Sequence, residues 1–158
     1  MIVGFQVDIY GGCGTHSCPR GANESSCWSM VERDYKFYLS FENSLCKDYV
    51  TEKFFNALAV DVIPVVLGGA DYASLAPPMS YVSVHEPEHA NDPGALARTL
   101  KALATSPERY AEYFWWKDYY EVVTGPFERA QTFCDICQRL HATDAGTSVY
   151  EDLALIHI

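Results

Sequence analysis

The chain has 158 residues, the length of one ordinary domain, with 49% apolar and 20% charged residues, so it can bury a core and is not a disordered chain. Its 21 acids outnumber 11 bases and set the net charge at −10, which argues against nucleic-acid or anionic-membrane binding, since both need a broad basic face. One local anion site remains compatible with that charge, and no stretch is long and apolar enough to cross a bilayer as a helix.

From the N-terminus, Val3 to Tyr10 reads as a strand broken by Gly11-Gly12, and Met1 to Gly11 has no basic n-region of a signal peptide. Residues 12–30 read as a Gly/Ser/Cys-rich loop that needs covalent pinning. Tyr35 to Phe41 is aromatic and strand-like, and Val62 to Leu67 is a continuous apolar run of the kind buried on both faces. Pro64 places that run at an edge, or itself at the strand's first residue. Between the two strands, Val50, Phe54, Ala57 and Leu58 form a helical stripe with Asp48 as the expected N-cap. Strand, helix and strand over about 30 residues make a βαβ unit, which requires parallel strands.

Ser80 to Val84 reads as a further short strand after Ala76-Pro77-Pro78. Pro93 to Ala104 carries Leu96, Leu100 and Leu103 on one helical face. Ser106-Pro107-Glu108 is a helix start, and Tyr110, Phe114 and Lys117 continue that helix toward Tyr120. Gly125-Pro126 opens a last helix in which Phe127, Ala130, Phe133, Cys134, Cys137 and Leu140 share a face. The expected fold is an α/β layer with extra C-terminal helices.

Six cysteines fall at 13, 18 and 27, at 46, and at 134 and 137, an even count that permits disulfides. With the glycosylation sequon Asn23-Glu24-Ser25 they favour an oxidising, lumenal or extracellular setting over a zinc site built from Cys13, Cys18, Cys134 and Cys137. A redox role for Cys134 and Cys137 fits poorly, because such a pair should follow a strand.

The densest chemistry lies between Phe41 and Lys53, after a strand end and at a helix start, where open α/β sheets place ligands. Lys53 is placed to neutralise a pyrophosphate, and Glu52 and Asn43 to hydrogen-bond hydroxyls. The plainer reading makes Glu52 a dipole partner and Lys53 a solvated side chain. Elsewhere, Asp71 and Tyr72 are rim candidates, and His85, Glu86, Glu88 and His89 read as an exposed acidic loop rather than a metal site.

The run 35–44, Tyr-Lys-Phe-Tyr-Leu-Ser-Phe-Glu-Asn-Ser, followed by Asp48-Tyr49-Val50-Thr51-Glu52-Lys53, resembles the signature of the α1,3-fucosyltransferases, glycosyltransferase family 10. Val7 to Gly14, Val62 to Val66 with Gly68-Gly69, and Ala76 to Tyr81 resemble further motifs of that family, in the same order. Cys18-Pro19-Arg20 and the stretch Cys134 to His141 resemble its invertebrate and plant core-type branch.

The resemblance implies a Rossmann-like parallel sheet, the C-terminal lobe of a two-lobed GT-B glycosyltransferase. Residues 1–158 would form a single GDP-fucose-binding lobe. The implied reaction moves fucose from GDP-fucose, with inversion, to a GlcNAc-containing glycan, an N-glycan core GlcNAc in this branch. By similarity, Lys53 would meet the pyrophosphate and Glu52 the fucose hydroxyls, while Tyr49 and Asn43 would hold the nucleotide and phosphate side. Glu42 and Ser44 would shape the loop. No obligatory metal or cofactor is implied, and Cys134–Cys137 would be a structural disulfide. Trp115-Trp116 resembles the family's aromatic-rich helix, where core or interlobe packing is expected before sugar stacking.

The family's Ser-Asn…Arg segment, its N-terminal acceptor lobe with the expected general base, and its membrane anchor have no counterpart in residues 1–158. The expectation is therefore a lobe of a Golgi type II membrane enzyme, inactive or nearly so on its own, with no catalytic base to name in this sequence. The competing expectation is a non-catalytic nucleotide-sugar-binding or interaction module.

Overall fold

The computed structural model describes residues 5–18, 24–124, 126–142 and 146. In chain order, helix α1 (Glu24–Asp34) leads to strand β1 (Phe37–Phe41), helix α2 (Glu52–Leu58), strand β2 (Ile63–Leu67), the one-turn α3 (Tyr72–Leu75) and strand β3 (Val82–Ser83). Helix α4 (Pro93–Thr105), helix α5 (Pro107–Ala111), a 3-10 helix (Glu112–Asp118) and helix α6 (Pro126–His141) follow. Among the described residues the sheet is parallel throughout, in the order β1-β2-β3, as the βαβ reading requires.

Side-chain alternation sorts this sheet into two faces. Ile63, Val65 and Val82 point to α4 and pack with Leu96, Leu100 and Leu103, and Phe37, Leu39 and Phe41 of β1 join that face. Val66 points the other way, into Phe54 and Leu58 of α2 with Tyr72 and Trp116. A strand covered on both sides has no reason to alternate polar and apolar, which is why β2 reads as an unbroken apolar run.

Pro64 is in the central strand, not at an edge and not at the strand's first residue. The ladder explains the correction. Ile63 donates its N–H to Lys36 on the β1 side, and Val66 accepts from Val84 on the β3 side. Even-numbered β2 positions therefore face β3, whose pairing begins only at Val65↔Val82. The proline lacks a donor where the ladder has no acceptor.

Several other expectations shift. Residues 24–30 are helical, not loop, and Cys18–Cys27 is a disulfide that ties the preceding segment to α1. Residues 5–9 form no ladder strand; Tyr10 makes one isolated bridge to His16. That segment is held instead by side chains, the Tyr35 hydroxyl donating to Asp8 at 2.8 Å and pairing with the Tyr10 hydroxyl at 2.8 Å. A cavity of about 470 Å³ lies between it and β1, lined among others by Phe5, Val7, Phe37 and Leu100. The helix after Ser106 does start there, with Ser106 Oγ accepting from the Arg109 N–H, but it tightens to 3-10 geometry after Ala111. Cys134 and Cys137 are exposed thiols on α6 and are not paired with each other, contrary to the expected disulfide. Spacing alone did not require that bond, since residues three apart on a helix are neighbours whether or not they are bonded. Asn23 of the sequon, Pro19, Arg20 and Gly125 lie outside the described residues. No helix among the described residues is long and apolar enough to cross a membrane.

Candidate functional site

The site forms where β1 hands over to α2. The alternation that sends Phe37, Leu39 and Phe41 toward α4 sends Tyr38, Ser40 and Glu42 toward α2. Ser40 is fully buried and its hydroxyl donates to the Lys53 carbonyl at 3.1 Å. Two residues on, the Glu42 carboxylate is wholly out of solvent. It accepts from the Thr51 N–H at 2.8 Å, from the Thr51 hydroxyl at 2.8 Å and from the Lys53 ammonium at 3.3 Å. The ammonium also donates to Thr51 Oγ1 at 3.0 Å.

Asp48 is not the N-cap of α2. It takes φ +61°, in the left-handed region, four residues before the helix begins, and Thr51 holds the N-cap position. The Thr51 hydroxyl makes no capping bond to the helix backbone, because Glu42 and Lys53 occupy it. This is the local reason the helix starts where it does: a buried carboxylate needs donors, and Thr51 supplies two of them.

A second loop closes on the first. Lys47 bridges Gly69 in parallel register, so pairing continues past the ends of β1 and β2. A Cβ on Gly69 would collide with the carbonyl oxygens of Leu45 and Cys46, so only glycine lets the loops approach this closely. Gly68 sits against the Tyr72 hydroxyl and Glu42 Cγ.

Tyr72 is in the core and not at the rim, only 5% exposed, with its ring edge-on to Phe54 at 5.1 Å. Its hydroxyl is buried and has no hydrogen-bond partner among the described residues. Burial, and then the Glu42 charge, push its pKa above the ordinary tyrosine value. Asp71 is exposed at the N-cap of α3.

Of the four residues the sequence singles out, two meet. The Glu52 carboxylate, 70% exposed, stands 3.9 Å from the Lys53 ammonium, whose side chain is 24% exposed. Asn43 and Tyr49 are exposed on the connecting loop. Sequence reasoning assigned Glu42 only to loop shape and missed Thr51 and Ser40. The period-two spacing of Tyr38, Ser40 and Glu42, read against the face that α2 covers, would have found the buried pair.

The other cluster behaves differently from expectation. Oxygen and nitrogen atoms of Glu86, Glu88 and His89 converge within 4.8 Å, yet His89 is buried and not on an exposed loop. Its Nδ1 is 2.8 Å from the Ser83 carbonyl and its Nε2 3.0 Å from Thr99 Oγ1, so both ring nitrogens serve the β3–α4 connection. Burial raises the Glu86 pKa, and the His89 ring partly opposes that. The His89 ring thus acts as a polar staple between β3 and α4. In the 3-10 helix, Trp116 is core and Trp115 is 44% exposed, its indole N–H donating to the Pro78 carbonyl at 2.9 Å.

Parallel strands with an ammonium held at their carboxyl ends define the open α/β class whose ligands sit beyond those ends. The chain belongs to glycosyltransferase family 10 (fucosyltransferase), matching the model of that family's C-terminal part over residues 1–156. It is 47% identical over 151 residues to α-(1,3)-fucosyltransferase C of Drosophila melanogaster, covering 94% of this chain and 33% of that protein. It is 45% identical over 140 residues to glycoprotein 3-α-L-fucosyltransferase A of the same organism, covering 87% of this chain and 26% of that protein. A crystal structure of an α1,3-fucosyltransferase with GDP-fucose is similar over 75% of this chain and 34% of that chain, at 25% identity and a TM-score of 0.45. The chain thus spans about a third or less of these relatives.

Proposed function

We propose that residues 1–158 serve as the GDP-fucose-binding lobe of an inverting α1,3-fucosyltransferase of GT-B architecture. The observation that carries the reading is the Lys53 ammonium, partly exposed and pinned by a buried carboxylate at the carboxyl ends of two parallel strands in a family-10 chain. In this reading Lys53 neutralises charge on the diphosphate, which is also the leaving group. Glu52, beside it and open to solvent, accepts hydrogen bonds from fucose hydroxyls. Asn43 and Tyr49, exposed on the connecting loop, contact the nucleotide and phosphate side. The acceptor is a GlcNAc-containing glycan, and the working compartment is the Golgi lumen, in keeping with the Cys18–Cys27 disulfide.

Calorimetry on the oxidised chain tests this. GDP should bind more tightly than UDP, and Lys53→Ala should weaken GDP by about tenfold or more, as expected for losing a charge-assisted contact worth roughly 1.5–3 kcal/mol. Equal affinity for the two nucleotides, or no effect of Lys53→Ala, would remove the donor-site assignment.

A further inference from the structure

We propose that Glu42 is a positioning residue of this site: working through Thr51, its buried carboxylate aims the Lys53 ammonium out from the strand ends. The inference rests on the reading of Lys53 as the diphosphate's cation. It goes further by naming what holds that cation in place.

The geometry pins Lys53 at both ends. Ser40 Oγ donates to its backbone carbonyl at 3.1 Å. The ammonium carries three N–H donors. One goes to Thr51 Oγ1 at 3.0 Å and one to Glu42 Oε2 at 3.3 Å. Both partners lie on the inner side, so the third N–H is turned outward, where Glu52 Oε1 stands 3.9 Å away. Thr51 completes the relay by giving its own hydroxyl proton to Glu42. The Glu42 side chain is wholly buried, and its Cγ would lie 3.2 Å from a Cβ placed on Gly68, so the glycine leaves it space beside the loop.

A free lysine loses rotamer entropy when a ligand immobilises it; this one is ordered before any ligand arrives. The same carboxylate also lowers the net positive charge near the phosphates, so Glu42 and Lys53 trade bulk attraction for orientation. A role confined to docking α2 would affect folding alone. A role through Lys53 must disappear when Lys53 is gone.

That difference is the test, run on the full oxidised chain with GDP as the probe. Glu42→Gln keeps the shape and the Thr51 contact and removes the charge. Thr51→Val removes the hydroxyl between Glu42 and Lys53, and Thr51→Ser restores it. Glu42→Gln and Thr51→Val should each weaken GDP binding by about 3- to 10-fold, the change expected from releasing one long, ordered side chain. Thr51→Ser should bind like the parent. In a Lys53→Ala background, Thr51→Val should cost nothing further. Unchanged or tighter GDP binding in Thr51→Val, or the same loss in both backgrounds, overturns the positioning role. If Glu42→Gln fails to fold, the Thr51→Val and Thr51→Ser pair decides alone. Should Lys53→Ala itself leave GDP affinity intact, the donor-site reading falls and this inference with it. A Lys53→Ala loss without a Thr51→Val loss sinks the positioning role only.

Discussion

The Tyr72 hydroxyl offers a clean stability experiment. It is buried, unpartnered among the described residues, and set against Gly68, where a Cβ would collide with it. A buried hydroxyl without a hydrogen bond carries a desolvation cost of roughly 1–3 kcal/mol. Tyr72→Phe keeps the ring that packs on Phe54 and deletes only the oxygen, so it should stabilise the chain by about 1 kcal/mol, or ~2–4 °C in Tm at this length. Gly68→Ala should do the opposite, because its Cβ would drive into that oxygen, at a cost of about 1–3 kcal/mol for overpacking. The double variant should cost less than the sum. With the oxygen gone, the new Cβ still meets Glu42 Cγ at 3.2 Å and Tyr72 Cζ at 3.4 Å, so relief is partial. Urea unfolding of the four proteins gives the coupling directly, from midpoints at constant slope. Destabilisation by about 1 kcal/mol or more in Tyr72→Phe would show that the hydroxyl has a partner in the folded chain, and would refute the reasoning.

Phe54 is fully buried, with Phe55, Tyr72 and Tyr81 rings at 5.4, 5.1 and 5.8 Å; Phe54→Ala should cost about 3–5 kcal/mol by urea unfolding. Ser106→Ala removes the N-cap of α5 and should cost about 0.5–1 kcal/mol, a small value in keeping with its 3.4 Å bond to the Arg109 N–H. Tyr110 donates to the Lys36 carbonyl at 2.9 Å, and burial, aided by the Asp61 charge, pushes its pKa up to about 12. The folded chain therefore holds this proton more tightly than the unfolded chain. Its contribution is intact below about pH 10 and is lost as pH rises toward 12, so Tyr110→Phe should flatten the fall in stability across that window. An unchanged slope, or no late-titrating tyrosinate in the absorbance titration, would count against it.

The parts of the fold that were legible are those where one period dominates. The apolar run at 63–67, the leucine stripe of α4 and the Ser106-Pro107 start all carry a local signal strong enough to stand alone. Helix α1 was obscured because Ser25, Ser26 and Cys27 favour turns, and the disulfide from Cys18 to Cys27 is a contact that composition cannot place. Residues 5–9 have strand character without a strand partner, and propensity says nothing about pairing. At the candidate site, the place of Glu52 and Lys53 at a helix start was legible. Glu42 and Thr51 were not, because their roles depend on which face of β1 the following helix covers. Tyr72 looked like a rim residue on loop position alone; four residues of helix turned it inward.

Pro64 has a consequence for how the strands find each other. Strands buried on one side are aligned by their alternating pattern, since a slip by one residue would expose the apolar set. Strand β2 is apolar on both faces and lacks that safeguard. The proline supplies another. A one-residue slip against β1 would turn the missing N–H toward β1 and delete a bond from the longest ladder in the sheet. In the native alignment the gap faces a side where β3 has not yet begun. The same residue that looks misplaced in a central strand thus rejects the nearest misfolded pairing, and with it any displacement of the Gly68-Gly69 turn from beneath Glu42.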